Sequence, residues 1–163
     1  MCANNLEELF ADGLKHVYYA EQQLVDATEE LAEQSTESEI EEAFSEHHSE
    51  TRDHVDRLEN AFDVIDESPE AKTDHAVDGM IEDHEEFVDQ DPDSHALDRF
   101  NVMAGQKSEH YEIAAYGNLI PLADQLGYDD LADQLEWTLR EEQEALDELA
   151  EIGEEFDYGQ LSS

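Results

Sequence analysis

Residues 38–65 of the chain read SEIEEAFSEHHSETRDHVDRLENAFDVI, and the spacing within this stretch decides the fold. Its apolar side chains recur every three or four residues, which is the period of one face of an α-helix. His47, Glu50 and His54 interrupt this face at positions where the pattern predicts apolar residues. The stretch therefore predicts a long amphipathic helix whose buried face carries polar side chains.

Four other stretches show the same helical period, three of them long and one short. They span residues 6–31, 76–88, 94–120 and 131–152. Pro121 is expected to kink or shorten the helix that starts at Ser94, and Gly127 is expected to stop it. Strand patterns are weak throughout, so the sequence predicts an all-helical protein.

The connections between these helices differ in length. Residues 35–38 make a short link, a second short link surrounds Gly127, and residues 66–93 make a long connection that includes the short helix. Short links fold consecutive helices into antiparallel hairpins, and two hairpins joined by one long crossover are typical of ferritin-like proteins. We predict an all-α, ferritin-like four-helix bundle that forms a single domain over residues 1–163.

The charge of the chain is extreme. Its 163 residues include 47 Asp and Glu against 7 Lys and Arg, which gives a formal net charge of -40. The acids are spread between apolar residues, a pattern that favours a folded domain with an acidic surface over a disordered tail. Molar salt shortens the screening length to about 3 Å, so this surface predicts a salt-rich cytosol. It argues against binding to nucleic acids and to anionic membranes.

The start of the chain also bears on location. Residues 1–7 have neither a basic region nor an apolar run, and no stretch is long and apolar enough for a transmembrane helix. We therefore expect a cytoplasmic protein. The single cysteine, Cys2, excludes a disulfide framework and is no evidence for catalysis.

Several acids and histidines lie within or beside the apolar stripes of the four long helices. A buried carboxylate costs several kcal/mol unless it is paired, and the few basic residues cannot pair with all of these acids. Divalent cations can neutralise them instead. The candidate metal ligands are Glu21, His47, Glu50, His54, Glu109, Glu112 and Glu142.

Four of these acids are predicted to lie at one height in the bundle. Glu21 and Glu50 are fifteen and fourteen residues from the first short turn. Glu112 and Glu142 are each fifteen residues from the second turn. At about 1.5 Å per residue, each hairpin places two carboxylates roughly 22 Å from its turn. Such a carboxylate layer with nearby imidazoles suits iron or manganese.

Several motifs resemble the YciE/YciF family of ferritin-like proteins over almost the whole chain. They are YAEQQL at 19–24, His47 with Glu50-Thr51, QKSEHYEIAAYG at 106–117, and LGY at 126–128. The resemblance implies a homodimer, a role in stress response and a di-iron or ferroxidase-type activity.

The motifs depart from the common ferritin-like pattern of Glu-x-x-His on two helices. The second helix has His47 and Glu50 in the reversed order, and Glu142 on the fourth helix is followed by no histidine. We predict that Glu21, Glu50, Glu112 and Glu142 form the shared layer, completed by Glu109 and by His47, His54 or both. The role of His110 stays open.

The leading functional hypothesis is a site that binds two iron ions per chain and oxidises Fe(II) with O₂ or H₂O₂, as stress protection. A catalase-like dimanganese enzyme is one alternative. A non-enzymatic stress or assembly protein with a residual metal site is another. His48, His75, His84 and His95 are predicted to lie at the surface, and the tyrosines to serve in packing.

Overall fold

The computed structural model describes residues 3–161, so Cys2 lies outside the described part of the chain. The helices are α1 (Leu6–Gln34), α2 (Ser38–Val64), α3 (His75–Val88), α4 (Ser94–Gln125), α5 (Asp129–Glu155) and a short 3-10 helix, Tyr158–Gln160. No strand occurs between residues 3 and 161. The predicted all-α, ferritin-like bundle is confirmed.

The four long helices pair as the connection lengths predict. Links of residues 35–37 and 126–128 join α1 to α2 and α4 to α5, and these two hairpins make the most extensive helix contacts. The hairpins then pack together through α1 against α4 and α2 against α5. The crossover between them contains α3, which packs on α1 and α4.

Helix α4 continues through Pro121 to Gln125, so the expectation that this proline shortens the helix is wrong. Proline removes the hydrogen bond to the carbonyl four residues earlier, that of Gly117. Both Pro121 and Gly117 lie on the exposed side of α4, where water can bond the freed carbonyl. The helix ends where Gly127 adopts a φ of 78° and its N–H donates to the Asp124 carbonyl, as predicted for this glycine.

The bundle core has an apolar cluster on either side of a polar layer. One cluster includes Phe10, Leu58 and Leu131, and it lies near the turn between α4 and α5. The other includes Ile40 and Leu149, near the turn between α1 and α2. The predicted metal ligands lie along the helices between these two sets. Apolar packing on both sides therefore keeps the polar layer in the centre of the bundle.

His84 is buried, so its predicted surface position is wrong. Its Nε2 lies 2.8 Å from Oδ1 of Asn101, and Nδ2 of Asn101 donates to the Ser35 hydroxyl at 3.2 Å. One turn further along α3, Phe87 stacks on Phe100 with ring centres 3.9 Å apart. These contacts attach α3 to α4, and they explain why a histidine outside the bundle stripes is buried.

Replacing His84 with alanine is expected to destabilise the protein by about 1–3 kcal/mol, because the buried Asn101 carbonyl loses its partner. Urea unfolding would measure the loss, and amide hydrogen exchange would show faster opening of α3. His75→Ala is the matched control, since His75 is exposed on the same helix and its loss should change stability by less than about 0.5 kcal/mol. Equal stability of the two variants would contradict the structural role of His84.

Candidate metal centre

All four long helices contribute ionisable side chains to the polar layer. Each of these side chains is almost fully buried, with at most 5% of the residue exposed. They are Glu21 from α1, His47 and His54 from α2, Glu109 and Glu112 from α4, and Glu142 from α5. The helix periodicity that buries the neighbouring leucines also turns these side chains inward.

The layer divides into two groups. Within each group, the potential ligand atoms all lie within 4.8 Å of one another. We call them the His47 group and the His54 group. The His47 group consists of His47, Glu109, Glu112 and Glu142. The His54 group consists of Glu21, His54 and Glu142. Because Glu142 belongs to both groups, its carboxylate lies between two potential metal positions.

The two histidines face the carboxylates through different ring nitrogens. Nε2 of His47 lies 2.8 Å from Oε1 of Glu109 and 3.6 Å from Oε2 of Glu142. Nδ1 of His54 lies 2.9 Å from Oε1 of Glu142 and 3.4 Å from Oε1 of Glu21. The two oxygens of Glu142 are thus divided between the two imidazoles.

The carboxylates of this layer are short of hydrogen bonds. Both oxygens of Glu109, Glu112 and Glu142, and one oxygen of Glu21, are buried without a hydrogen-bond partner. The short contacts with the histidines are therefore ion pairs, whose atoms are close but not aligned as a hydrogen bond requires. Buried carboxylate oxygens without donors fit metal ions, since a cation takes the place of the missing donors.

The electrostatics of the layer show an excess of negative charge. Burial raises the pKa of Glu112 well above its usual range, and the charges of Glu142 and Glu21 raise it further. Burial likewise raises the pKa of Glu142 to about 7, although its contact with His54 opposes the shift. Both shifts mean that the layer favours the binding of positive charge.

The pKa values of the two histidines are also raised, although burial opposes the shift. Burial disfavours the charged form of His54, but the charge of Glu21 and the hydrogen bond with Glu141 outweigh burial and raise the pKa to about 12. Burial also opposes the charge on His47, yet Glu109 raises the pKa of His47 well above its usual range. The surrounding carboxylates therefore dominate over desolvation at both imidazoles.

Glu50 belongs to neither group, although it was predicted to share the layer. Its side chain is 32% exposed, and its Oε2 lies 3.4 Å from Nδ1 of His47, on the outer side of that ring. Thr51, which is fully buried, occupies the inward position on this turn of α2 and donates to the His47 carbonyl. The position of Glu50 along α2 places it at the height of the layer, but its direction around the helix axis turns the side chain to the flank of the helix.

The remaining histidines lie outside the layer. His110 is exposed on α4 and lies in neither group, so the polar layer contains His47 and His54 but not His110. His75 is exposed as expected. His48 is half-buried instead, and its Nδ1 lies 2.9 Å from the Val25 carbonyl. It links α2 to α1 and takes no part in the layer.

Two residues that contact the ligands were not identified from the sequence. The Tyr116 hydroxyl donates to Oε1 of Glu21 at 2.5 Å, where burial and the charge of Glu21 raise the pKa of this tyrosine. Glu141 accepts from Nε2 of His54, and hydrogen bonds with His54 and Arg57 outweigh burial and lower its pKa to about 2. The signals in the sequence were positional: Tyr116 follows Glu112 by four residues within the 106–117 motif, and Arg57, which bonds Glu141, follows His54 by three.

A third group of potential ligands lies outside the polar layer, at the end of the bundle where α1 turns into α2. Glu37, His95 and Asp98 form this group. His95 is half-buried there, with Nδ1 3.4 Å from Glu37. Both oxygens of Asp98 already accept hydrogen bonds from Thr36, one from its backbone N–H at 2.7 Å and one from its hydroxyl at 2.6 Å. Asp98 therefore anchors the turn to α4.

Within residues 3–161, each helix is too short or too polar to span a membrane. Residues 5–157 match the family described as a domain of unknown function, DUF892. The sequence is 34% identical to Protein YciF of Escherichia coli K12 over 146 residues, which cover 87% of this chain and 86% of that protein.

Two solved structures superimpose over nearly the full length of the chain. The crystal structure of the E. coli stress protein YciF matches with a TM-score of 0.87 and 32% identity, over 93% of this chain and 96% of that one. YcfI of Rhodopseudomonas palustris also matches with a TM-score of 0.87, at 35% identity over 90% and 94% of the two chains. Both the sequence and the helical arrangement are thus shared with a stress protein.

Proposed function

Because this chain belongs to the DUF892 family, as its resemblance to YciE/YciF proteins predicted, we propose that it is a ferritin-like stress protein with a di-iron site. The proposed reaction is the oxidation of two Fe(II) ions per chain by H₂O₂, with O₂ as the other candidate oxidant. The oxidation would remove peroxide and ferrous iron together, a combination that produces damaging radicals when it is left free.

The position of Glu142 is the observation that supports this proposal most strongly. One carboxylate that takes part in two ligand groups is the arrangement needed to bridge a pair of metal ions. Glu21, Glu109, Glu112 and Glu142 together carry four negative charges when ionised, which equals the charge of two divalent cations. The pair of ions therefore neutralises the layer without help from basic residues.

The donor set favours iron or manganese over softer metals, since it consists of carboxylate oxygens and two imidazoles. Two ferrous ions bound here would supply the two electrons that, with two protons, reduce one H₂O₂ to two water molecules. The protein's own residues hold the ions and exclude bulk water. Tyr116 fixes Glu21 through its hydrogen bond, and the apolar clusters on both sides keep the layer dry.

Fe(II) oxidation by the purified protein tests the proposal directly. We expect about two iron ions per chain by elemental analysis, and about two Fe(II) consumed per H₂O₂ added. Glu144→Ala is the control, because Glu144 is exposed on the same helix as Glu142 and should leave both values unchanged.

Other outcomes would identify the alternatives. Manganese in the native protein, with oxygen released from peroxide, would establish a catalase-like reaction in place of iron oxidation. A protein that takes up neither metal and oxidises no Fe(II) would contradict the proposed site and favour a non-enzymatic stress or assembly role.

A further inference from the structure

The His54 ring is held from outside the polar layer as well as from within it. Its Nε2 lies 2.9 Å from Oε2 of Glu141, while its Nδ1 faces Glu142 and Glu21. Glu141 is the neighbour of Glu142 in the chain, but its side chain points to the outer side of His54 and is 18% exposed. Each ring nitrogen of His54 therefore has a different carboxylate environment.

Glu141 is in turn fixed by an arginine. Nη1 of Arg57 donates to Oε2 of Glu141 at 2.5 Å, and Nη2 donates to Oε1 at 3.2 Å, so the pair is bidentate. Nη1 also donates to the Thr138 hydroxyl at 3.2 Å. The Arg57 guanidinium lies over the Trp137 ring, 4.2 Å from its centre. The planar guanidinium thus holds both oxygens of Glu141 in one orientation.

This arrangement decides which nitrogen of His54 would keep its proton when the ring binds a metal ion. An ionised carboxylate only accepts hydrogen bonds, so Nε2 must be the donor in its contact with Glu141. A ring that binds a metal ion while Nε2 keeps its proton uses the lone pair of Nδ1. That lone pair points towards Glu142 and Glu21, where the His54 group would hold a metal ion.

We propose that Glu141, held by Arg57, is a positioning residue that fixes the tautomer and the orientation of His54, so that His54 binds metal through Nδ1. This inference rests on the proposed metal site and concerns the His54 group alone. Outer carboxylates of this kind fix metal-binding histidines in many proteins, and their loss weakens binding about 10- to 100-fold.

The His47 group provides an internal comparison. The outer nitrogen of His47, Nδ1, lies 3.4 Å from Glu50, which is a longer contact than that between His54 and Glu141. Within the described residues, Glu50 forms no ion pair with lysine or arginine. Binding at the His47 group should therefore depend little on Glu141, and binding at the His54 group should depend on it strongly.

Binding of Co²⁺ to the full-length protein measures the dependence of each group on Glu141, without relying on turnover. In Glu141→Ala we expect one of about two Co²⁺ ions to bind about 10- to 100-fold more weakly, and the other to bind as in the wild type. Glu141→Gln, which keeps one carbonyl acceptor, should lose less. Glu144→Ala should match the wild type, and circular dichroism would establish that each variant folds.

A spectroscopic measurement excludes a merely structural role. Long-range ¹H–¹⁵N NMR of the Zn²⁺-loaded wild type should show His54 bound through Nδ1 with its proton on Nε2. Binding through Nε2, or two unchanged Co²⁺ affinities in Glu141→Ala, would overturn the inference even if the wild type oxidises Fe(II). Selective loss of one ion in a protein that oxidises no Fe(II) would support the inference and refute the proposed reaction.

Discussion

Replacing Glu142 with alanine is expected to remove both metal ions from the protein at once. Its carboxylate takes part in the His47 group and in the His54 group, with one oxygen near each histidine. Removing it deprives both metal positions of a ligand and removes the bridge between them. Elemental analysis after loading should fall from about two ions per chain to almost none, and Fe(II) oxidation should be lost with them.

Histidine variants give the contrasting result. His54→Ala should lose the ion of its own group and retain about one ion per chain, since His47, Glu109 and Glu112 stay in place. His47→Ala should do the reverse, although less completely, because three carboxylates of its group are left. Glu151→Ala, at an exposed position of α5, is the control. Full metal loading in Glu142→Ala would contradict a bridging role.

Metal binding is also expected to raise the thermal stability of the protein strongly. A ligand present at a thousand times its dissociation constant stabilises the folded state by about 4 kcal/mol per site. For a chain of this length, that corresponds to an increase in Tm of about 8–16 °C for each occupied site. The physical source is the neutralisation of buried carboxylates that have no hydrogen-bond partners.

Differential scanning calorimetry with Mn²⁺ or with a chelator would measure this shift at constant salt. Mn²⁺ is suitable because it stays divalent in air, so that binding is measured without oxidation of the metal. Glu142→Ala should show almost no difference between the two conditions. Equal Tm values for the wild type with Mn²⁺ and with chelator would indicate that the acidic layer is stable without metal, as expected for a non-enzymatic stress protein.

The fold was predictable from the sequence because the long helices of this bundle follow one period. Each has an apolar stripe on the face that it buries, and the lengths of the links alone determine which helices pair. Pro121 does not shorten α4, because the tolerance of a helix for proline depends on whether the freed carbonyl is exposed. His84 was misjudged because its burial depends on α3 docking against α4, a contact between distant parts of the chain.

The sequence predicted the height of the candidate ligands along the bundle, but it did not predict for every one whether its side chain points inward. The structure brings Glu21, Glu112 and Glu142 together as the turn distances predicted, whereas Glu50 lies at the same level on the flank of its helix. A small rotation about the helix axis moves a carboxylate from the interior to the edge, and counting residues from a turn does not reveal it. Glu141 was not predicted because residue counting likewise does not show that its side chain reaches His54.

Three further statements about the protein stay predictions, and each has its own measurement. The assignment of the metal ligands is tested by elemental analysis of the variants described above. The homodimer implied by the family resemblance requires the mass in solution, by light scattering. The salt-rich cytosol requires unfolding curves at low and molar KCl, because screening of a net charge of -40 should raise stability with salt.

The stacking of Arg57 on Trp137 provides the protein with an intrinsic optical reporter. Trp137 is the single tryptophan of the chain and is 59% exposed, so its emission comes from one known place. The ring contacts the guanidinium that bonds Glu141, and Glu141 bonds His54. A change at His54 would therefore reach the fluorophore through two side chains, Glu141 and Arg57, and occupancy of the buried layer could be followed by fluorescence without any added label.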